Sequence, residues 1–95
     1  MTKAELVNEI AIQTGYDRVS ITNIIEASMY TVMKSVGEGE NIYLRGFGTF
    51  TTKTRKQKLA RNITGNTSVI VPEHKIPFFK PAPDFMKEVL ENKNN

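Results

Sequence analysis

The sequence has no cysteine, which at once excludes a disulfide framework, a thiolate metal site and a cysteine nucleophile. It has one histidine, His74. With no second histidine and no nucleophile pattern nearby, it reads as a surface or packing residue rather than an acid-base catalyst or a metal ligand. A nucleotide loop is missing too. Gly46 and Gly48 fall between strand-like segments, without the helix N-terminus that would cradle a phosphate. No apolar run approaches the roughly 20 residues a membrane span requires. The opening residues Met1 to Glu5 place an acid where a signal peptide needs uninterrupted apolar side chains. These absences predict a cytoplasmic protein that is not an enzyme and has no cofactor, metal, membrane or small-molecule partner.

Acidic residues are nearly missing from one segment. Residues 1–44 carry Lys3, Arg18 and Lys34 against Glu5, Glu9, Asp17, Glu26, Glu38 and Glu40, a net −3. Residues 45–80 carry Arg45, Lys53, Arg55, Lys56, Lys58, Arg61, Lys75 and Lys80 against Glu73 alone, a net +7. Residues 81–95 return to −1, with Lys87 and Lys93 against Asp84, Glu88 and Glu91. Ordinary soluble surfaces intersperse the two signs. A concentrated basic segment on a mildly acidic body is the footprint of an element that binds a polyanion.

A helix is expected from Thr2, because Glu5 three residues on completes a capping box. Leu6, Val7, Ile10, Ala11 and Thr14 then form one stripe, and Gly15 is a natural stop. Asp17 with Ser20 starts a second helix, whose apolar stripe is Ile21, Ile24, Ile25, Ser28, Val32 and Val36 up to Gly37 and Gly39. From Asn41 the period changes to alternation, with Ile42 and Leu44 between Tyr43 and Arg45, and Gly46-Phe47-Gly48 allows a reversal before Thr49 and Phe50. Thr51 to Lys58 has strand-like threonines but no apolar residue on either face, so neither face can enter a core. After turn signals at Asn62, Thr64, Gly65 and Asn66, the run Thr67 to Val71 returns and stops at Pro72. This geometry is a two-stranded arm projecting from a body. The prolines of Lys80-Pro81-Ala82-Pro83 mark an extended return, followed by a short helix with Phe85, Met86, Val89 and Leu90 as its apolar face. The reading is one domain of mixed α/β (α+β) class: a helical hairpin over residues 1–40, a sheet and basic β-arm over 41–80, and a C-terminal helix over 81–95.

The order of these segments resembles the bacterial HU and integration host factor family. The resemblance rests on Gly46-Phe47-Gly48-Thr49-Phe50, the basic arm, Arg61-Asn62 at its tip, and Ile76-Pro77-Phe78-Phe79-Lys80-Pro81. It implies an intertwined dimer with a helical base, a short antiparallel sheet and two protruding β-arms that reach around DNA along the minor groove. It implies a homodimer, or a heterodimer with a paralogue. The function implied is to bind and bend duplex DNA with little sequence preference, compacting or stabilising the nucleoid. One departure stands out: the family usually carries a proline after Arg-Asn at the arm tip, where this chain has Ile63. Ile63 is either an apolar wedge between base pairs or a loop residue tucked against its own arm.

The candidate DNA contacts are Arg45, Lys53, Arg55, Lys56, Lys58, Arg61, Asn62, Ile63, Lys75 and Lys80. Arg61 best suits the minor groove, whose negative potential favours a guanidinium over a strongly hydrated ammonium. Lys75 and Lys80 lie beyond the arm, where a duplex resting between two arms would meet them. Phe47, Phe50 and Phe79 are read as core residues of the dimer, because large aromatics dominate burial. Two other readings of the arm compete. An RNA-binding surface would need stacking aromatics, and none lies between Thr51 and Val71. A module that adds a strand to a partner's sheet would be insensitive to competing polyanions.

Overall fold

The computed structural model describes residues 1–62, 65 and 67–92, with the side chains of residues 60–62 and 67 outside that description. The chain divides into two compact units, Met1–Lys34 and Ser35–Asn95. Its elements run α1 (Lys3–Thr14), α2 (Arg18–Gly37), β1 (Ile42–Leu44), β2 (Gly48–Arg55), β3 (Lys58–Asn62), β4 (Thr67–Val71), β5 (His74–Pro81) and α3 (Pro83–Glu91).

The first helix starts where the capping box predicts. The Glu5 N–H donates to Thr2 Oγ1 at 3.2 Å, and the Thr2 N–H donates to Glu5 Oε1 at 3.3 Å. Gly15 ends the helix at φ 79°, its N–H donating to the Ala11 carbonyl at 2.8 Å. Asp17 caps α2 by accepting the Ser20 N–H at 2.9 Å. Hydrogen bonds from Ser20 hold the Asp17 carboxyl below the ordinary carboxylate value. A depressed carboxylate pKa stabilises the fold fully above the ordinary value, and that contribution disappears as pH falls through the lowered one. Lys3 Nζ meets Glu26 Oε2 at 2.6 Å, and the Arg18 guanidinium donates to Asn8 Oδ1, so polar contacts join the two helices, in which Val7 and Ile21 are buried.

The apolar stripes are narrower than the sequence predicts. Val7 in α1 and Ile21 and Val36 in α2 are buried, whereas Leu6, Thr14, Ile24 and Ser28 are exposed. Helix α2 also exposes Val19, Met29, Tyr30 and Met33. A helix apolar nearly all round has more such surface than one neighbouring stripe can cover.

In the second unit, β1, β2 and β5 form a three-stranded sheet with β2 in the middle, while β3 and β4 pair separately. The β1–β2 reversal closes with the Phe47 N–H on the Leu44 carbonyl at 2.9 Å, and Gly46 takes φ 81°, the left-handed value that the third turn residue needs. Gly48 answers a different demand. A Cβ there would lie 2.5 Å from the Phe79 ring and 2.6 Å from the Lys80 carbonyl, so only glycine lets β5 approach this closely. Pro77 and Pro81 sit in β5, at the sheet edge, where a missing N–H is tolerated.

Phe47, Phe50, Phe79 and Phe85 make a ring cluster with centroid separations of 4.9 to 6.4 Å. The sequence reads Phe47, Phe50 and Phe79 as core of a dimer, and within one chain they are partly open. Phe47 is 46% exposed, and Phe50 and Phe79 are only partly covered. One chain supplies the cluster without a lid. Helix α3 is similar: Pro83 occupies its first turn and Ala82 its cap position, yet Met86, Val89 and Leu90 remain exposed.

Candidate nucleic-acid interface

The ladder register sorts the basic segment by face. The pairs Tyr43↔Thr49, Thr49↔Lys80, Thr51↔Phe78, Lys53↔Ile76 and Arg55↔His74 place these residues on one face of the sheet. Ile42, Leu44, Phe50, Thr52, Thr54, Lys75, Pro77 and Phe79 occupy the other, where Phe50 and Phe79 join the ring cluster. The sheet therefore has one aromatic face and one cationic face.

On the cationic face, Lys53 Nζ stands 5.2 Å from the Phe78 ring centroid, an arrangement that steadies the ammonium while leaving it able to meet an anion. Thr51 Oγ1 donates to Asn41 Oδ1 at 2.7 Å, and Asn41 Nδ2 donates to the Tyr43 hydroxyl at 3.2 Å. The His74 ring bonds the Pro72 carbonyl through Nδ1 at 2.9 Å. The ion pairs among the described residues are Lys3 with Glu26 and Lys87 with Glu91, so none engages Arg45, Lys53, Arg55, Lys56, Lys58, Lys75 or Lys80. Neutralisation of that charge is left to an outside anion.

The predicted contacts are only partly brought together. Lys53, Arg55 and Lys80 share a face, and Arg45 lies in the β1–β2 turn. Lys75, opposite Thr54, points to the aromatic side, because an odd separation from Lys80 reverses its face. Lys56 falls between β2 and β3, and Lys58 opens the arm opposite Val71. Arg61 and Asn62 are placed as arm backbone opposite Ser68 and Thr67, with their side chains outside the described set, and Ile63 lies outside the described residues altogether. The arm is more apolar than its charge suggests: Leu59 and Ile70 face each other at 70% and 61% exposure, and Val69 is also exposed. Charge counting does not single out Tyr43, Asn41, Thr49, Thr51 or Phe78. The alternation of Tyr43 with Ile42 and Leu44 is the signal that could have found the first of them.

Residues 1–90 match the family model described as bacterial DNA-binding protein, and DNA-binding protein HU of Geobacillus stearothermophilus is 30% identical over 82 residues, covering 86% of this chain and 91% of that protein. The chain belongs to the HU family of bacterial DNA-binding proteins. HU of Thermotoga maritima is 27% identical over 89 residues, 94% of this chain and 99% of that protein. Among solved structures, Anabaena HU in a cocrystal with DNA superposes with a TM-score of 0.90 at 28% identity, covering 94% of this chain and 97% of that one. The mixed helix and sheet architecture is thus the HU fold. Among the described residues no helix is long and apolar enough to cross a membrane.

Proposed function

We propose that the chain is an architectural DNA-binding protein that binds and bends duplex DNA with little sequence preference, and that it compacts or stabilises the bacterial nucleoid as a dimer. The observation that carries this reading is the alignment of Lys53, Arg55 and Lys80 on one sheet face, without acidic partners, beside the basic arm. Phosphate contacts of this kind position a duplex without reading its bases. In this reading Arg45, Lys53, Arg55 and Lys80 receive the backbone, while Lys56, Lys58 and Arg61 follow it along the arm. Asn62 ends the first arm strand, and Ile63, outside the described residues, keeps the two roles the sequence offers it, wedge or loop. Leu59, Val69 and Ile70 offer apolar contact to deoxyribose. Lys75 is assigned to phosphates only where the duplex passes round the sheet edge.

Bending a site of 20 to 30 base pairs by 40 to 90° costs roughly 1 to 6 kcal/mol, which added phosphate contacts must offset. Two arms are better suited to that than one. The exposed rings of the phenylalanine cluster and the exposed apolar faces of α2 and α3 support pairing with a second copy.

The test is a fluorescence-anisotropy titration against a random duplex of about 30 base pairs at several salt concentrations. If Lys53, Arg55 and Lys80 of both protomers engage phosphates, log affinity falls with log salt at a slope of at least about −5, steeper by about 0.9 for each further phosphate that Arg45 and the arm cations neutralise. Scrambling the duplex leaves affinity nearly unchanged. Absent binding at low salt would overturn the reading.

A further inference from the structure

We propose that Tyr43 is a phosphate-contacting residue of the cationic face, its hydroxyl oriented by Asn41 and Thr51 to donate to a phosphate oxygen that Lys80 also reaches. The inference rests on the reading of this face as the DNA-binding surface and adds a neutral donor to it.

Tyr43, Thr49 and Lys80 form one row across the three strands. The tyrosine is 74% exposed, although a tyrosine at a sheet edge gains most by laying its ring on apolar neighbours. It stands instead on the polar side, on the face that also carries Lys53, Arg55 and Lys80. A phosphodiester has several acceptor atoms, so an ammonium and a neutral hydroxyl on the same face can engage one phosphate.

The hydrogen bonds give the hydroxyl a direction. Thr51 donates to Asn41 Oδ1, which turns the amide nitrogen towards Tyr43, and the phenolic oxygen accepts from that nitrogen. A phenol that already accepts keeps its own proton for another acceptor. Among the described residues no carboxylate or carbonyl takes it. Because the relay is present in the protein alone, less side-chain freedom is lost when the phosphate arrives.

The relay predicts a particular signature. Loss of one hydrogen bond to a charged group weakens affinity by roughly ten- to a hundredfold. A neutral donor releases no counterion, so the salt slope stays the same, whereas removing the Lys80 cation flattens it by about 0.9 for each phosphate it neutralises. A phosphate contact also acts uniformly across sequences.

The experiment compares wild type, Tyr43→Phe, Thr51→Val and Lys80→Gln by anisotropy on A·T-rich and G·C-rich duplexes of equal length, each at several salt concentrations. Circular dichroism melts accompany the titrations. Tyr43→Phe keeps the ring and is expected to melt with wild type, bind at least about tenfold more weakly on both duplexes and retain the wild-type slope. Thr51→Val, which removes only the far end of the relay, should show a smaller loss in the same direction, and it carries the test alone if Tyr43→Phe melts early. Wild-type affinity for Tyr43→Phe, a changed slope, or a loss confined to one duplex would overturn the proposal. Failure of wild type to bind either duplex would strike the DNA-binding reading itself.

Discussion

At the scale of single residues, the sheet depends on an atom that is missing. Gly48 has no Cβ where one would press on the Phe79 ring and the Lys80 backbone. The backbone carbonyl cannot move aside as the far end of a flexible side chain can. Gly48→Ala is therefore expected to cost about 1 to 3 kcal/mol, as overpacking typically does. Urea denaturation measures it, and a midpoint equal to wild type would contradict the close approach. The glycine is visible in the sequence but its reason is not, because Phe79 and Lys80 lie in a different strand far along the chain. The Thr2–Glu5 box and the Asp17 cap are fully legible, since both partners of each fall within three residues.

At the scale of elements, the decisive quantity is register. Alternation announces a strand but does not say which face meets the core. Lys75 and Lys80 look alike as cations on the return strand, yet pairing with Thr54 and Thr49 sends them to opposite sides. The same pairing gathers Tyr43, Thr49, Thr51, Lys53 and Arg55, which are scattered among two elements in sequence. Charge counting finds the cations and passes over the neutral residues between them. The resulting prediction concerns Lys53→Gln and Lys75→Gln. The first should lower the magnitude of the salt slope by about 0.9 for each phosphate left without its cation, and the second should leave it nearly unchanged. Anisotropy titrations of the two variants decide it, and equal effects would mean that the duplex does not lie on the cationic face.

At the scale of the molecule, the apolar inventory exceeds what one chain encloses. Periodicity locates the helices, but it marks apolar surface without saying whether the same chain or a second one covers it. Leu6 and Ile24 belong to the predicted stripes and are nonetheless exposed, and Phe47 is nearly half exposed within its ring cluster. A small domain buries proportionally little of its surface, so the deficit is physical. If a second copy covers these residues, folding and association are one equilibrium, and the melting temperature rises with protein concentration. Calorimetry over a hundredfold range of concentration, with sedimentation to give the mass, tests this. A concentration-independent melt at monomer mass would refute it.

Where the body meets the arm, the ladder is broken on both strands at once. The β2–β5 pairing ends at Arg55↔His74 and the β3–β4 pairing starts at Lys58↔Val71, so residues 56–57 and 72–73 interrupt both strands at the same level. A continuous ribbon would carry the twist of the body out to the arm and fix its angle. Under the DNA-binding proposal, the paired gaps would serve as a wrist. The grip would then take its angle from the curvature of the object held, so that a body with one fixed face could accept duplexes of differing stiffness without being rebuilt for each.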